Sequence, residues 1–148
     1  MLKILKMLKG LSKRLLQISL VVLFLLSANS CQKNQQSFIP EVPVDFYINL
    51  ATNNDLTVPG NYQVFPNGYT GIIVINNGSG YYAFDTCCPY EAKASCTVTP
   101  DASGIATCSC CGSQYSLMGG GYPIEGPSSR NLQSYQVNDI GGRLWVHN

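Results

Sequence analysis

Two hydrophobic patterns divide this chain. From Leu15 to Leu26 apolar residues run for 12 positions, interrupted only by Gln17 and Ser19. Beyond residue 40 the apolar residues alternate instead. Val44, Phe46, Ile48 and Leu50 are interleaved with Asp45, Tyr47 and Asn49, which gives one apolar face at a period of two and predicts a strand. Gly71-Ile72-Ile73-Val74-Ile75 and Tyr81-Tyr82-Ala83-Phe84 flank the turn-rich Asn76-Asn77-Gly78-Ser79-Gly80 and predict a β-hairpin. Leu132 to Val137 and Arg143 to Val146, joined through Asn138-Asp139-Ile140-Gly141-Gly142, predict a second. No stretch after Cys31 carries a sustained helical stripe, and frequent Gly and Pro mark turns. The pattern predicts an all-β fold.

The N-terminal run is short for a membrane-spanning helix, which needs roughly 20 apolar residues. Lys3, Lys6, Lys9, Lys13 and Arg14 precede it without an acid, and Ser27-Ala28-Asn29-Ser30 lead from it to Cys31. This resembles an export signal ending in a bacterial lipobox, whose Cys carries lipid and becomes the first residue of the mature protein. Ordinary signal cleavage is the plainer alternative. The expected organisation is a signal peptide over 1–30, a lipidated N-terminus and polar tether over 31–40, and one domain over 41–148. The expected location is the bacterial cell envelope, with the lipid at Cys31 anchoring the protein to a membrane, facing the periplasm or the surface.

Processing at Cys31 reverses the charge. The whole chain carries +1, but only Lys33, Lys93, Arg130 and Arg143 lie after Cys31, against all eight acids, a side-chain balance of −4. Such a domain offers no basic surface to a phosphate backbone, which argues against nucleic acid as a partner. The expected partners are the membrane and a redox or binding protein of unknown identity.

Six cysteines fall between residues 87 and 111: Cys87, Cys88, Cys96, Cys108, Cys110 and Cys111. Metal ligation and disulfide bonding both explain such a cluster, and the even count and the oxidising compartment are both favourable to disulfides. Within the cluster, Cys88-Pro89-Tyr90 and Cys108-Ser109-Cys110-Cys111-Gly112-Ser113, separated by 17 residues, resemble the two cluster-binding loops of the Rieske iron–sulfur family. Those loops read C-x-H and C-x-x-H, and each gives one Cys and one His to a 2Fe–2S cluster. Here Tyr90 and Cys111 stand in the two His positions, and His147, near the C-terminus, is the chain's one histidine.

The resemblance extends from about Gly71 to Val146. Gly112-Ser113-Gln114-Tyr115-Ser116-Leu117 resembles the family's G-S-x-F-D-L strand, and Gly126-Pro127-Ser128 its third loop, G-P-A. Leu132 to Val137 and Gly142 to Val146 resemble its closing strands. The resemblance implies a Rieske-like β-sandwich with a rubredoxin- or zinc-ribbon-like cluster-binding subdomain.

For ligands, Cys88, Cys108 and Cys111 occupy matched positions, and Cys96 is the chemically suited fourth thiol. Tyr90 is the alternative fourth ligand, although a phenol with a pKa near 10 is an uncommon one. Such a site would suit a 2Fe–2S cluster, a single iron or a zinc ion. The family also implies a competing role for Cys96, because some members bridge their two loops by a disulfide. Cys110 lies at the matching position, so Cys96–Cys110 is the implied pair, leaving Cys87 or Tyr90 as fourth candidate.

No carboxylate pair or Ser/His/Asp set suggests catalysis. The leading expectation is a membrane-tethered electron carrier with an iron–sulfur centre. The alternative is a cluster-free binding or structural lipoprotein, stapled by disulfides or zinc, with no cofactor required. A ferredoxin component of an oxygenase fits the export-type N-terminus poorly, because those components work in the cytoplasm.

Overall fold

The computed structural model describes residues 39–148. The expected signal peptide, the lipid at Cys31 and all of the tether before Ile39 lie outside the described residues.

Ten strands run antiparallel to their neighbours: β1 (Asp45–Asn49), β2 (Tyr62–Phe65), β3 (Ile72–Asn76), β4 (Tyr81–Asp85), β5 (Val98–Pro100), β6 (Ile105–Cys108), β7 (Gln114–Ser116), β8 (Tyr122–Glu125), β9 (Ser134–Asp139) and β10 (Arg143–His147). Six of them form one sheet in the order β1-β10-β9-β4-β3-β2, and β5-β6-β7-β8 form a smaller one. The fold is therefore all-β, with a base sheet and a cysteine-bearing subdomain inserted between β4 and β9, the arrangement the resemblance implied.

The apolar run in β3 shows how the parts join. Every residue from Ile72 to Asn76 is buried. Side chains alternate across a strand, so burial throughout means that both faces are covered. Ile72 and Val74 enter a core with Val44, Ile48, Leu56, Ala83, Tyr135, Leu144 and Val146, supplied from both ends of the base sheet as it curls over itself. Ile73 and Ile75, with Phe84, face the other way and pack against Val98, Ala106 and Tyr115 of the small sheet and against Leu117 just after it. Each such aliphatic side chain contributes about 1.5–3 kcal/mol on full burial, so β3 welds the subdomain to the base.

Both expected hairpins form. In the first, Asn77 N–H donates to Gly80 O across 3.0 Å, and Ile72 pairs with Asp85. The second begins at Ser134 and not at Leu132, because Leu132 N–H donates instead to Gly121 O and its side chain joins the second core. The short strands β2, β5, β6 and β8 carry too few apolar residues to show a period in sequence.

Candidate metal centre

Two loops of the subdomain carry the cysteines, and each is closed by its own backbone. The first follows β4. At its start Asp85, fully buried, accepts from Cys87 N–H (2.9 Å), Tyr69 N–H (2.8 Å), the Thr70 hydroxyl (2.9 Å) and the Tyr135 hydroxyl (2.9 Å). A buried carboxylate is tolerated when its oxygens are saturated by donors. This one fixes where the loop leaves the base sheet. Cys88 N–H then donates to Cys96 O (2.8 Å) and Ala92 N–H to Cys88 O (2.8 Å), so the loop doubles back on itself. The reversal sets Ala92 at φ 51°, a left-handed conformation uncommon outside glycine.

The second loop joins β6 to β7. Cys108 N–H donates to Ser113 O (2.8 Å) and Gly112 N–H to Cys108 O (3.1 Å), with Gly112 at φ 73°. Glycine takes that conformation without steric cost, which lets Cys108 and Cys111 turn toward one point. Ser109 N–H donates to Thr97 O (3.0 Å), and a disulfide between Cys96 and Cys110 joins the two loops, with their Cα atoms 5.4 Å apart. The third loop closes over the second. Ser128 N–H donates to Ser113 Oγ (3.1 Å), and a side chain at Gly126 would meet Ser113 Cα at 2.5 Å.

The result is a triangle of thiols. The sulfurs of Cys88, Cys108 and Cys111 lie within 4.8 Å of one another. Cys88 and Cys111 Sγ are 3.7 Å apart. Cys88 and Cys108 are buried, whereas Cys111 is partly exposed. Burial, with the neighbouring Cys88, pushes the Cys108 thiol up to about 12. Burial acts in the same sense on Cys111, but the hydroxyl and backbone N–H of Ser113, helped by Cys108 and Cys88, outweigh it and lower its pKa. Cys111 Sγ lies 3.2 Å from Ser113 Oγ. Beneath the triangle, the Tyr115 hydroxyl is 3.5 Å from Cys88 Sγ. Burial raises the Tyr115 pKa against the opposing Ser128 hydroxyl, so the phenol keeps its proton and can donate to a thiolate.

The structure brings three of the four expected thiols together and places Cys96 elsewhere. Cys96 is bonded to Cys110, as the family implied, so its sulfur has no lone thiolate to offer. Cys87 does not take its place: its sulfur faces Lys93 O at 3.5 Å, and burial, with the charge of Asp85 and the neighbouring Cys88, holds its thiol at about 11. Tyr90 is 53% exposed. His147, on β10, stacks on Trp145 with ring centroids 4.0 Å apart, and its Nε2 lies 2.8 Å from Asn138 Oδ1. The Tyr115 contact and the Asp85 anchor carry no motif of their own in the sequence. Asp85 had one visible signal, an acid ending an otherwise apolar strand immediately before Thr86-Cys87-Cys88.

Three converging thiols suit a thiophilic metal ion. A 2Fe–2S cluster fits the set less well. It takes four protein ligands, two on each iron, whereas the structure gathers three sulfurs into one tight group and commits the expected fourth to a disulfide.

No protein-family model matches the chain, and no curated protein matches it. Among solved structures, the chain is similar to the ferredoxin of carbazole 1,9a-dioxygenase from Nocardioides aromaticivorans IC177, at 20% identity and a TM-score of 0.48, over 72% of this chain and 98% of that one. It is also similar to a chain in a complex of reduced oxygenase and oxidized ferredoxin in carbazole 1,9a-dioxygenase, at 18% identity and a TM-score of 0.48, over 68% and 92%. A third likeness, at 14% identity and a TM-score of 0.45 over 73% and 97%, is to a Mycobacterium tuberculosis protein assigned as the small subunit of an NADH-dependent nitrite reductase.

Proposed function

We propose that this protein is a Rieske-type metal-binding module of the cell envelope, tethered by lipid at Cys31, which holds iron at Cys88, Cys108 and Cys111 and passes electrons to a partner protein. The observation that carries this reading is the triangle itself. Residues from loops 20 or more positions apart in sequence, at three of the four positions that resemble the family's ligand sites, place their sulfurs within 4.8 Å of one another. The chain's own part is to hold the metal, keep it near the surface beside partly exposed Cys111, and tune it through the Tyr115 hydroxyl on Cys88. Thiolates in place of imidazoles add negative charge and favour the oxidised metal, so the centre works at low potential.

Anaerobic purification, followed by a visible spectrum and assays of iron, zinc and sulfide, tests the reading. Bound iron with a charge-transfer spectrum that bleaches on reduction supports it. A colourless, metal-free protein with Cys88, Cys108 and Cys111 oxidised would sink it. The anchor has its own test: Cys31→Ala should lose incorporation of labelled fatty acid and leave the membrane fraction.

One observation favours a second reading, a structural or binding lipoprotein without an electron-carrying centre. The Cys96–Cys110 disulfide already staples the two loops, so the subdomain does not depend on a metal for that link. Zinc without iron in the same assay would select it.

A further inference from the structure

Resting on the metal-binding reading above, we infer that the triangle holds one divalent ion, iron(II) or zinc(II), through three thiolates, and leaves a fourth coordination position open to a donor from outside the chain.

The sulfur spacing sets the nuclearity. Thiolates bonded at about 2.3 Å to one tetrahedral ion stand about 3.8 Å apart. Cys88 and Cys111 are already at 3.7 Å, and no pair in the triangle exceeds 4.8 Å. Sulfurs on opposite irons of a two-iron cluster must be held farther apart, with two ligands on each side. By the loop resemblance, Cys111 occupies the place of a ligand to the second iron, yet it touches Cys88, the ligand to the first.

The vacancy in the coordination follows from the remaining donors. Among the described residues, no fourth His, Cys, Asp or Glu joins the group. Cys96 is in its disulfide, and Cys87 turns toward Lys93 O. The Tyr115 hydroxyl lies 3.5 Å from the sulfur of Cys88, where it can donate to a thiolate. Cys111 is the partly exposed corner, so the open side of the triangle faces water. Three protein ligands with a solvent-facing fourth place is the coordination of a site that binds or exchanges a ligand, whereas a purely structural thiolate site is closed.

Cobalt(II) is the probe. Full-length protein, metal-free and with Cys96–Cys110 intact, is titrated with cobalt(II) under argon and followed in the visible. The inference expects saturation at about one cobalt per chain, intense tetrahedral bands with sulfur-to-cobalt charge transfer, and a band shift on adding azide or imidazole. Tyr90→Phe should leave the spectrum unchanged, and Cys111→Ser should weaken binding at least about tenfold. Bands that ignore added ligand but change in Tyr90→Phe overturn the open position. Two irons and two sulfides per chain in the anaerobic preparation overturn the single ion while leaving the metal-binding reading intact. Failure to bind cobalt, zinc or iron under any of these conditions overturns that reading itself.

Discussion

The sulfurs of Cys88 and Cys111 stand 3.7 Å apart although 23 positions separate them in the chain. Two free thiols at that distance gain little from each other, since a thiol is a weak donor and a weak acceptor. Their approach is imposed by the backbone closures of two loops and becomes favourable once a cation accepts both sulfurs. Because ligands that share a metal are not independent, Cys88→Ser, Cys108→Ser and Cys111→Ser should each reduce bound metal from about one equivalent to less than about a tenth. Cys87→Ser should leave it unchanged, as should Tyr90→Phe. Elemental analysis of the purified variants decides the matter, and metal retained in Cys108→Ser would remove that residue from the site.

The disulfide is a separate support. It closes a loop of 14 residues, and such a cross-link stabilises by about 3 kcal/mol, chiefly through the unfolded chain. Cys96→Ser with Cys110→Ser should therefore lower stability by about that amount in urea melts. Anaerobically measured metal content should persist. If it vanished while the protein remained folded, Cys96 would be a ligand and the disulfide would compete with the metal.

Asp85 predicts the stability of the first loop. Asp85→Asn keeps the shape but turns an NH2 toward two of four donors that now point at carboxylate oxygens. Losing charge-assisted bonds and leaving a buried donor unpaired costs about 2–4 kcal/mol. The acid nearest in sequence on the same loop, Glu91, pairs with the exposed Lys93 at 3.5 Å. Glu91→Gln should change stability by less than about 0.5 kcal/mol. Equal effects in chemical denaturation would refute the anchoring role.

The free thiols should differ in reactivity when no metal is bound. Cys111 is partly exposed and its pKa is lowered, whereas Cys87 is buried at about 11 and Cys108 at about 12. The thiolate is the nucleophile. At pH 8 a thiol of pKa 11 is ionised in about one molecule in a thousand. Iodoacetamide should therefore label Cys111 first, and labelling of Cys87 and Cys108 should rise steeply only in strongly alkaline buffer or on unfolding. Peptide mass mapping over time would show the order, and early labelling of Cys87 would contradict the burial on which it rests.

Much of this arrangement is legible before folding is considered. Strict alternation from Val44 to Leu50 announces β1, and the apolar run Ile72 to Ile75 announces a strand, though not that both its faces are covered. That depends on a second sheet made from Val98–Pro100 and Ile105–Cys108, segments too short to carry a period. A C-x-x-C turn can bring Cys108 and Cys111 together, whereas the place of Cys88 beside them was implied by the family resemblance and not by spacing. The partner of Cys96 does not follow from spacing alone. Six cysteines admit 15 pairings, and the family resemblance, not the residues, singled out Cys110. Asp85 and Tyr115 were hidden for a related reason: their roles come from neighbours 15 to 50 residues away, such as Thr70 and Tyr135 for Asp85.

X-ray absorption at the edge of the bound ion shows whether Cys88, Cys108 and Cys111 hold metal together. Three sulfur scatterers at about 2.3 Å, with one lighter oxygen or nitrogen donor and no metal–metal scattering, are expected. Two sulfurs or fewer, unaltered by Cys111→Ser, would contradict such binding.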